Sequence, residues 1–142
     1  MNQGLPKWRQ KYFLLTYVVP FLLYCLLIYW LSAQSDPSSL SPFKVPDKIA
    51  HILEYAGFGF LLMRLLVYLK PDWGAVQHLI WVLSGALIFG LSDEIHQCFV
   101  VGRVFSWMDL AADGAGGYLG ARLWMFLVPY RLFSGLKNKK MF

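Results

Sequence analysis

Long apolar stretches alternate with short polar connections along this chain of 142 residues. A helix that crosses the hydrocarbon core of a bilayer needs about 20 mostly apolar residues. The pattern therefore predicts an all-α integral membrane protein with four transmembrane helices. A single domain, residues 12–128, contains all four, between a basic arm (1–11) and a basic tail (129–142). The predicted spans are residues 12–31, 49–69, 78–99 and 107–128.

The composition supports a membrane protein and excludes an ordinary soluble domain. Hydrophobic residues make up 58% of the chain and charged residues 15%, whereas soluble domains carry about 25% charged residues. A domain of this size cannot bury so large an apolar share. The first stretch follows basic residues, as a signal peptide would, but it is longer than the usual apolar region of about 7–15 residues. We therefore predict that it is an uncleaved helix.

The distribution of charge predicts an orientation. The formal net charge is +5, and the basic residues concentrate at the two ends of the chain. Cytoplasmic flanks of membrane helices carry an excess of Lys and Arg. Both termini and the second connection are therefore predicted to be cytoplasmic, and the first and third connections to face outward. No nucleic-acid-binding motif accompanies the positive charge, so we predict no nucleic-acid partner.

The acidic residues give the strongest functional signal. A charge at the bilayer centre costs about 2.5–3.5 kcal/mol, so acidic side chains there are expected to face one another or a wet cavity. Helical spacing places Asp47, His51 and Tyr55 on one face, and Asp109 and Asp113 on one face of the last helix. A shared polar site is predicted, with a purely structural polar contact between helices as the alternative. Six of the eight acidic residues fall in the predicted outward half: Asp47, Glu54, Asp93, Glu94, Asp109 and Asp113.

Three motifs, each weak alone, together resemble the VanZ-like family of small bacterial membrane proteins. They are D-K-x-x-H-x-x-x-Y from Asp47, S-D-E-x-x-Q from Ser92 and G-R-x-x-S-x-x-D from Gly102, followed by Gly116. The resemblance implies a multi-pass protein of the bacterial cytoplasmic membrane and cell envelope. It also implies tolerance to teicoplanin, a lipid-tailed glycopeptide, with little effect on vancomycin. Asp113 departs from the family pattern, which usually has Asn at that position.

The first functional interpretation is an outward-facing site that binds or shields a lipid head group or a lipoglycopeptide. Arg103 suits a phosphate or carboxylate because a guanidinium donates two parallel hydrogen bonds. Membrane lipids, and a lipid-linked precursor or lipoglycopeptide, are therefore the predicted partners. The predicted ligand-binding residues are Asp47, Lys48, Tyr55, Gln97, Arg103, Ser106 and Asp113.

The alternative interpretation is an intramembrane hydrolase or transferase that acts on a lipid-linked envelope substrate. His51, Glu94 and Asp109 would be its catalytic residues. A divalent metal held by His51, Glu94 and an aspartate of the last helix is one variant, but ligands from three helices define no fixed spacing, so we predict no metal and no cofactor. A third interpretation, an ion-coupled transporter, uses the carboxylates as a relay. Nothing in the sequence defines an oligomeric state.

Overall fold

The computed structural model describes residues 12–34 and 46–128, and every element in that part of the chain is helical. The predicted all-α class is confirmed, and the helix ends lie within three residues of the predicted ones. The basic arm, the basic tail and most of the first connection lie outside the described residues, so their predictions stay predictions. The helices are α1 (Leu14–Ser32, which opens with a π-helical segment at Leu14–Val18), α2 (Asp47–Leu69), α3 (Ala75–Gln97) and α4 (Trp107–Leu127).

Three of these helices, α1, α2 and α3, are long and apolar enough to cross a membrane. Helix α4 has 21 residues but carries Asp109, Asp113 and Arg122, and it is not among the three. Large apolar side chains such as Ile88 and Phe126 are exposed on the outside of the bundle, as expected for a surface in contact with lipid. The fold is therefore that of a membrane protein, and the fourth span stays a prediction.

Glycines set the close approach of α2 and α4. A Cβ atom at Gly116 would overlap the carbonyl oxygen of Ile52, and one at Gly120 would overlap that of Ala56. From the other side, Gly59 lies directly against the backbone of Gly117. Small residues let the backbones of membrane helices come together in this way. The contact fixes the register of α2 against α4, and so decides which polar side chains meet at their N-terminal ends.

Apolar side chains fill the rest of the bundle. One cluster lies toward the end of the bundle where α2 ends and α3 begins, and a second lies midway along the helices. Of the buried polar side chains of the described residues, all but His78 lie toward the opposite end, where α2 and α4 begin and α3 ends. The clusters are Met63, Val67, Val82, Ala121 and Trp124, and Ile28, Tyr55, Phe58 and Ala86.

Candidate functional site

A cluster of polar side chains occupies the end of the bundle where α2 and α4 begin. Glu94 and Asp113 have no exposed surface at all. Burying a charged group is costly unless it is paired or hydrogen-bonded, so the partners of these side chains define the site. The buried polar members are His51, Asp93, Glu94, Gln97, Asp109 and Asp113.

Two pairs connect α2 to α4. His51 Nδ1 lies 2.8 Å from Asp113 Oδ1, and Lys48 Nζ lies 3.2 Å from Asp109 Oδ1. The pairs are about one helical turn apart on each helix, as the register set by the glycine contact requires. The Lys48 side chain is 49% exposed, whereas Asp109 is 8% exposed. The outer pair therefore borders the surface, and the His51–Asp113 pair lies beneath it.

The loop between α3 and α4 supplies Arg103. Gly102 has φ +84°, a conformation that glycine adopts without steric cost, and it lies where the loop turns before Arg103. Arg103 Nη1 lies 3.0 Å from Asp47 Oδ1, and the Arg103 side chain is only 14% exposed. By contrast, Val101 and Val104 are 87% and 79% exposed. The loop therefore points its charged side chain into the bundle and its apolar side chains outward.

Glu94 and Ser106 hold the start of α4. Ser106 Oγ accepts a hydrogen bond from Asp109 N at 3.2 Å, which is a helix N-cap. The Ser106 N–H in turn donates to Glu94 Oε2 at 2.7 Å. In a capping box the third helical residue would accept this bond. Because Glu94 of α3 accepts it, the Asp109 carboxylate is left for Lys48.

A crevice opens between these groups. It encloses about 20 Å³, which is room for about one water molecule. Beside it, Gln97 Nε2 donates to Asp93 Oδ2 at 3.1 Å. Helices α1, α2 and α3 and the loop between α3 and α4 line the crevice. The lining residues are Leu31, Ser32, Asp47, Ala50, His51, Glu54, Gln97 and Arg103.

The predicted site residues lie at five different positions. Asp47, His51, Gln97 and Arg103 line the crevice, and Lys48 and Asp109 form the pair at its edge. Asp113 lies behind His51, and Glu94 and Ser106 form the cap of α4. Tyr55 lies deeper: its ring packs against Phe58 and Phe89, and its hydroxyl has no hydrogen-bond partner among the described residues. The ligand-binding and catalytic roles of these residues stay predictions.

Two residues of the site were not predicted. Ser32, at the end of α1, lines the crevice, although the sequence pattern predicted a site formed by the three later helices alone. Gly90 leaves a notch for a carboxylate, because a Cβ atom there would lie 2.5 Å from Asp113 Oδ2. A small polar residue at a helix end and a glycine in an apolar helix are both common, so neither gave a usable signal.

One group of side chains has the composition of a metal site. Asp47, His51 and Asp109 each offer a ligand atom, and these atoms lie within 4.8 Å of one another. The sequence suggested a different set of metal ligands, which included Glu94. In the structure Glu94 instead accepts a hydrogen bond at the start of α4. Two carboxylates and one imidazole are donors that suit a divalent cation.

Comparison with known proteins places the chain in a family. A search of curated proteins found no match, and a search of solved structures found none. The sequence profile of the VanZ/LLP1 family, however, matches residues 21–128. The match covers well over half of the chain and includes every polar residue of the site. On this evidence the chain belongs to the VanZ/LLP1 family.

Proposed function

We propose that this family member binds or shields the head group of a membrane lipid or a lipoglycopeptide at the polar end of its helix bundle. The protein would be a multi-pass protein of the bacterial cytoplasmic membrane, with four spans and cytoplasmic termini. The basic residues at both ends of the chain support that orientation. The length of α4 and its close contact with α2 support a fourth span. In this topology the polar site faces outward.

Arg103 is the observation that carries the proposal. A guanidinium has five N–H donors, and Asp47 accepts from only one of its terminal nitrogens. Arg103 Nε is buried, so the donors that a ligand at the surface would meet are those of the terminal nitrogens that Asp47 does not occupy. Asp47 thus holds the guanidinium in place while donors are left for a phosphate or carboxylate oxygen, and Lys48 adds a second positive charge nearby.

The surroundings of the crevice favour a ligand that arrives from the membrane. The crevice holds about one water molecule, so a head group would bind at its rim and not inside it. Large apolar side chains of the adjacent loop and the start of α4 are strongly exposed, among them Phe99, Val104 and Trp107. An exposed apolar surface of this kind is typical of contact with lipid or another protein. The rim would therefore lie at the depth of the lipid head groups.

Tolerance to teicoplanin would follow if the site altered the access of this lipid-tailed drug to the cell surface. The test compares a sensitive host that expresses wild type, Arg103→Gln or Arg122→Gln at equal membrane levels. Arg122 is an exposed arginine near the other end of α4 and provides the matched control. We expect wild type and Arg122→Gln to raise the teicoplanin concentration needed for inhibition, and Arg103→Gln to lose this effect. Equal protection by Arg103→Gln, or none by wild type, would contradict the proposal.

A second candidate function, an intramembrane hydrolase, is favoured by the His51–Asp113 pair. A histidine oriented by a buried carboxylate is the usual arrangement of a general base. His51 also lines a crevice with room for one water molecule. Glu94 and Asp109, the other predicted catalytic residues, are engaged with Ser106 and Lys48 and would position groups without reacting.

Lipid mass spectrometry separates the two functions. If the protein is an enzyme, membranes of cells that express wild type should contain a cleaved lipid that is absent with His51→Gln. Identical lipid profiles for wild type, His51→Gln and an empty vector would argue against catalysis and leave the binding function.

A further inference from the structure

Three side chains at the crevice and its edge could bind a metal ion, which neither proposed function requires. Asp47 and His51 lie one turn apart on α2, and Asp109 faces them from the start of α4. We propose that these three side chains bind a divalent cation that accepts carboxylate and imidazole ligands, as Mn²⁺ and Zn²⁺ do. The proposal goes beyond head-group binding, because a cation can be bound and measured with no lipid ligand present.

The distances allow such a site with small movements. Metal–ligand bonds of about 2.0–2.2 Å place two ligand atoms on one ion at most about 4.4 Å apart. The candidate ligand atoms of Asp47, His51 and Asp109 lie within 4.8 Å of one another. Only ligands on opposite sides of an ion lie that far apart, so the three side chains would rotate toward one another by about an ångström to bind one ion together. Because Asp47 is exposed, water would fill the remaining positions.

His51 is held as metal-binding histidines are held. Such histidines donate their second ring N–H to a carboxylate, which fixes the ring and its tautomer. His51 Nδ1 lies 2.8 Å from Asp113 Oδ1, and Asp113 is completely buried. Because Asp113 is the partner of Nδ1, the other ring nitrogen, Nε2, is the one that would bind the cation. His51 is 96% buried, since its exposed fraction is 4%, yet it lines the crevice, so this nitrogen is available to a ligand there.

Charge also favours a cation at this position. Among the described residues, the polar end of the bundle contains six carboxyl groups, but only Lys48 and Arg103 as fixed positive charges. In the structure Lys48 contacts Asp109 and Arg103 contacts Asp47, so each occupies one carboxylate that the cation would use. Lys48 is half exposed on a flexible side chain, so water partly screens its ion pair with the buried Asp109. A divalent cation would displace the Lys48 ammonium group into water.

Lys48 therefore competes with the cation for the Asp109 carboxylate, and substitutions at both positions test the site. The full-length protein is purified in detergent, stripped with a chelator and titrated with Mn²⁺, and free Mn²⁺ is measured by electron paramagnetic resonance. We expect one Mn²⁺ per chain, displaced by Zn²⁺. Asp109→Asn should weaken binding by about tenfold or more, and Lys48→Gln should strengthen it several-fold. Asp72→Asn, which changes an exposed carboxylate in the turn between α2 and α3, is the control and should bind as wild type does.

The variants also separate ligand binding from a structural role. His51→Gln should lose Mn²⁺ affinity, but it also removes the partner of Asp113, so its fold is checked by size exclusion. Lys48→Gln changes an exposed side chain and decides the question if His51→Gln misfolds. Absence of saturable binding in both wild type and Lys48→Gln would overturn the proposal. Equal affinity in wild type, Lys48→Gln and Asp109→Asn would overturn it as well.

Discussion

The notch at Gly90 provides a quantitative test of how the polar site is built. Asp113 Oδ1 lies 2.8 Å from His51 Nδ1, and Asp113 Oδ2 lies 2.5 Å from the position that a Cβ atom of residue 90 would occupy. The Asp113 side chain thus fills the space between α2 and α3 that the glycine leaves. Substitutions at positions 90 and 113 are therefore expected to be energetically coupled.

The magnitudes follow from these contacts. Asp113→Ala leaves buried His51 without its partner, which costs about 1–3 kcal/mol. Gly90→Ala gains about 1 kcal/mol in helix propensity, but overpacking against the Asp113 carboxylate costs about 1–3 kcal/mol. In the double variant the 2.5 Å contact is gone, and the closest remaining atom, the Cβ of residue 113, lies at 3.1 Å. The double variant should therefore be about 1–2 kcal/mol more stable than the sum of the single changes predicts.

The assay is denaturant unfolding in mixed micelles, applied to wild type, both single variants and the double variant. Asp113→Asn is the control, because it retains an acceptor for His51 and should lose less stability than Asp113→Ala. Independent sites add within about 0.3–0.5 kcal/mol. Additivity within that range would refute the placement of the Asp113 carboxylate in the Gly90 notch.

Three further predictions concern the cap, the helix contact and the orientation. Ser106→Ala should lower the free energy of unfolding by about 1 kcal/mol, and Ser106→Asp should retain most of it; equal losses would contradict the capping role. Gly120→Leu places a side chain in the backbone of Ala56 and should abolish monodisperse protein in size exclusion, whereas Gly74→Ala, whose Cβ would meet only the Gln77 side-chain oxygen at 3.9 Å, should not. Cys98 is exposed in the structure, and in intact cells of a Cys25→Ser background it should react with a membrane-impermeant maleimide from outside; reaction only after the cells are opened would reverse the orientation.

Much of the fold was predictable, because the length of each apolar stretch and the charges beside it determine where a helix begins and ends. The starts and ends of the helices follow from where apolar stretches meet polar residues, and Asp47 and His51 share a face because they are four residues apart. Helical periodicity predicts which face of a helix a residue occupies, but not how deep in the bundle it lies or which side chains surround it. Tyr55 shares that face, but it lies about 12 Å further along the helix than Asp47 at 1.5 Å per residue, which places it among Phe58 and Phe89.

The pairing within the site was not predictable, because it depends on contacts between helices. Asp113 meets His51 only in the register that the glycines of α4 set against α2. Glu94 carries a carboxylate suited to catalysis, but it accepts a bond from the backbone of Ser106, twelve residues later. That bond depends on the path of the loop between α3 and α4, which hydrophobic pattern does not specify. The sequence therefore identified the polar residues, and the structure assigned their partners.

The most direct test of the account is lipid retention measured by native mass spectrometry. Full-length wild type, Arg103→Gln and Arg122→Gln are purified identically and titrated with phosphatidylglycerol. We expect wild type and Arg122→Gln to retain the phospholipid at the same concentrations, and Arg103→Gln to need at least about tenfold more, because it loses one charge-assisted hydrogen-bonded pair. Equal retention by all three proteins would contradict a head-group site at Arg103.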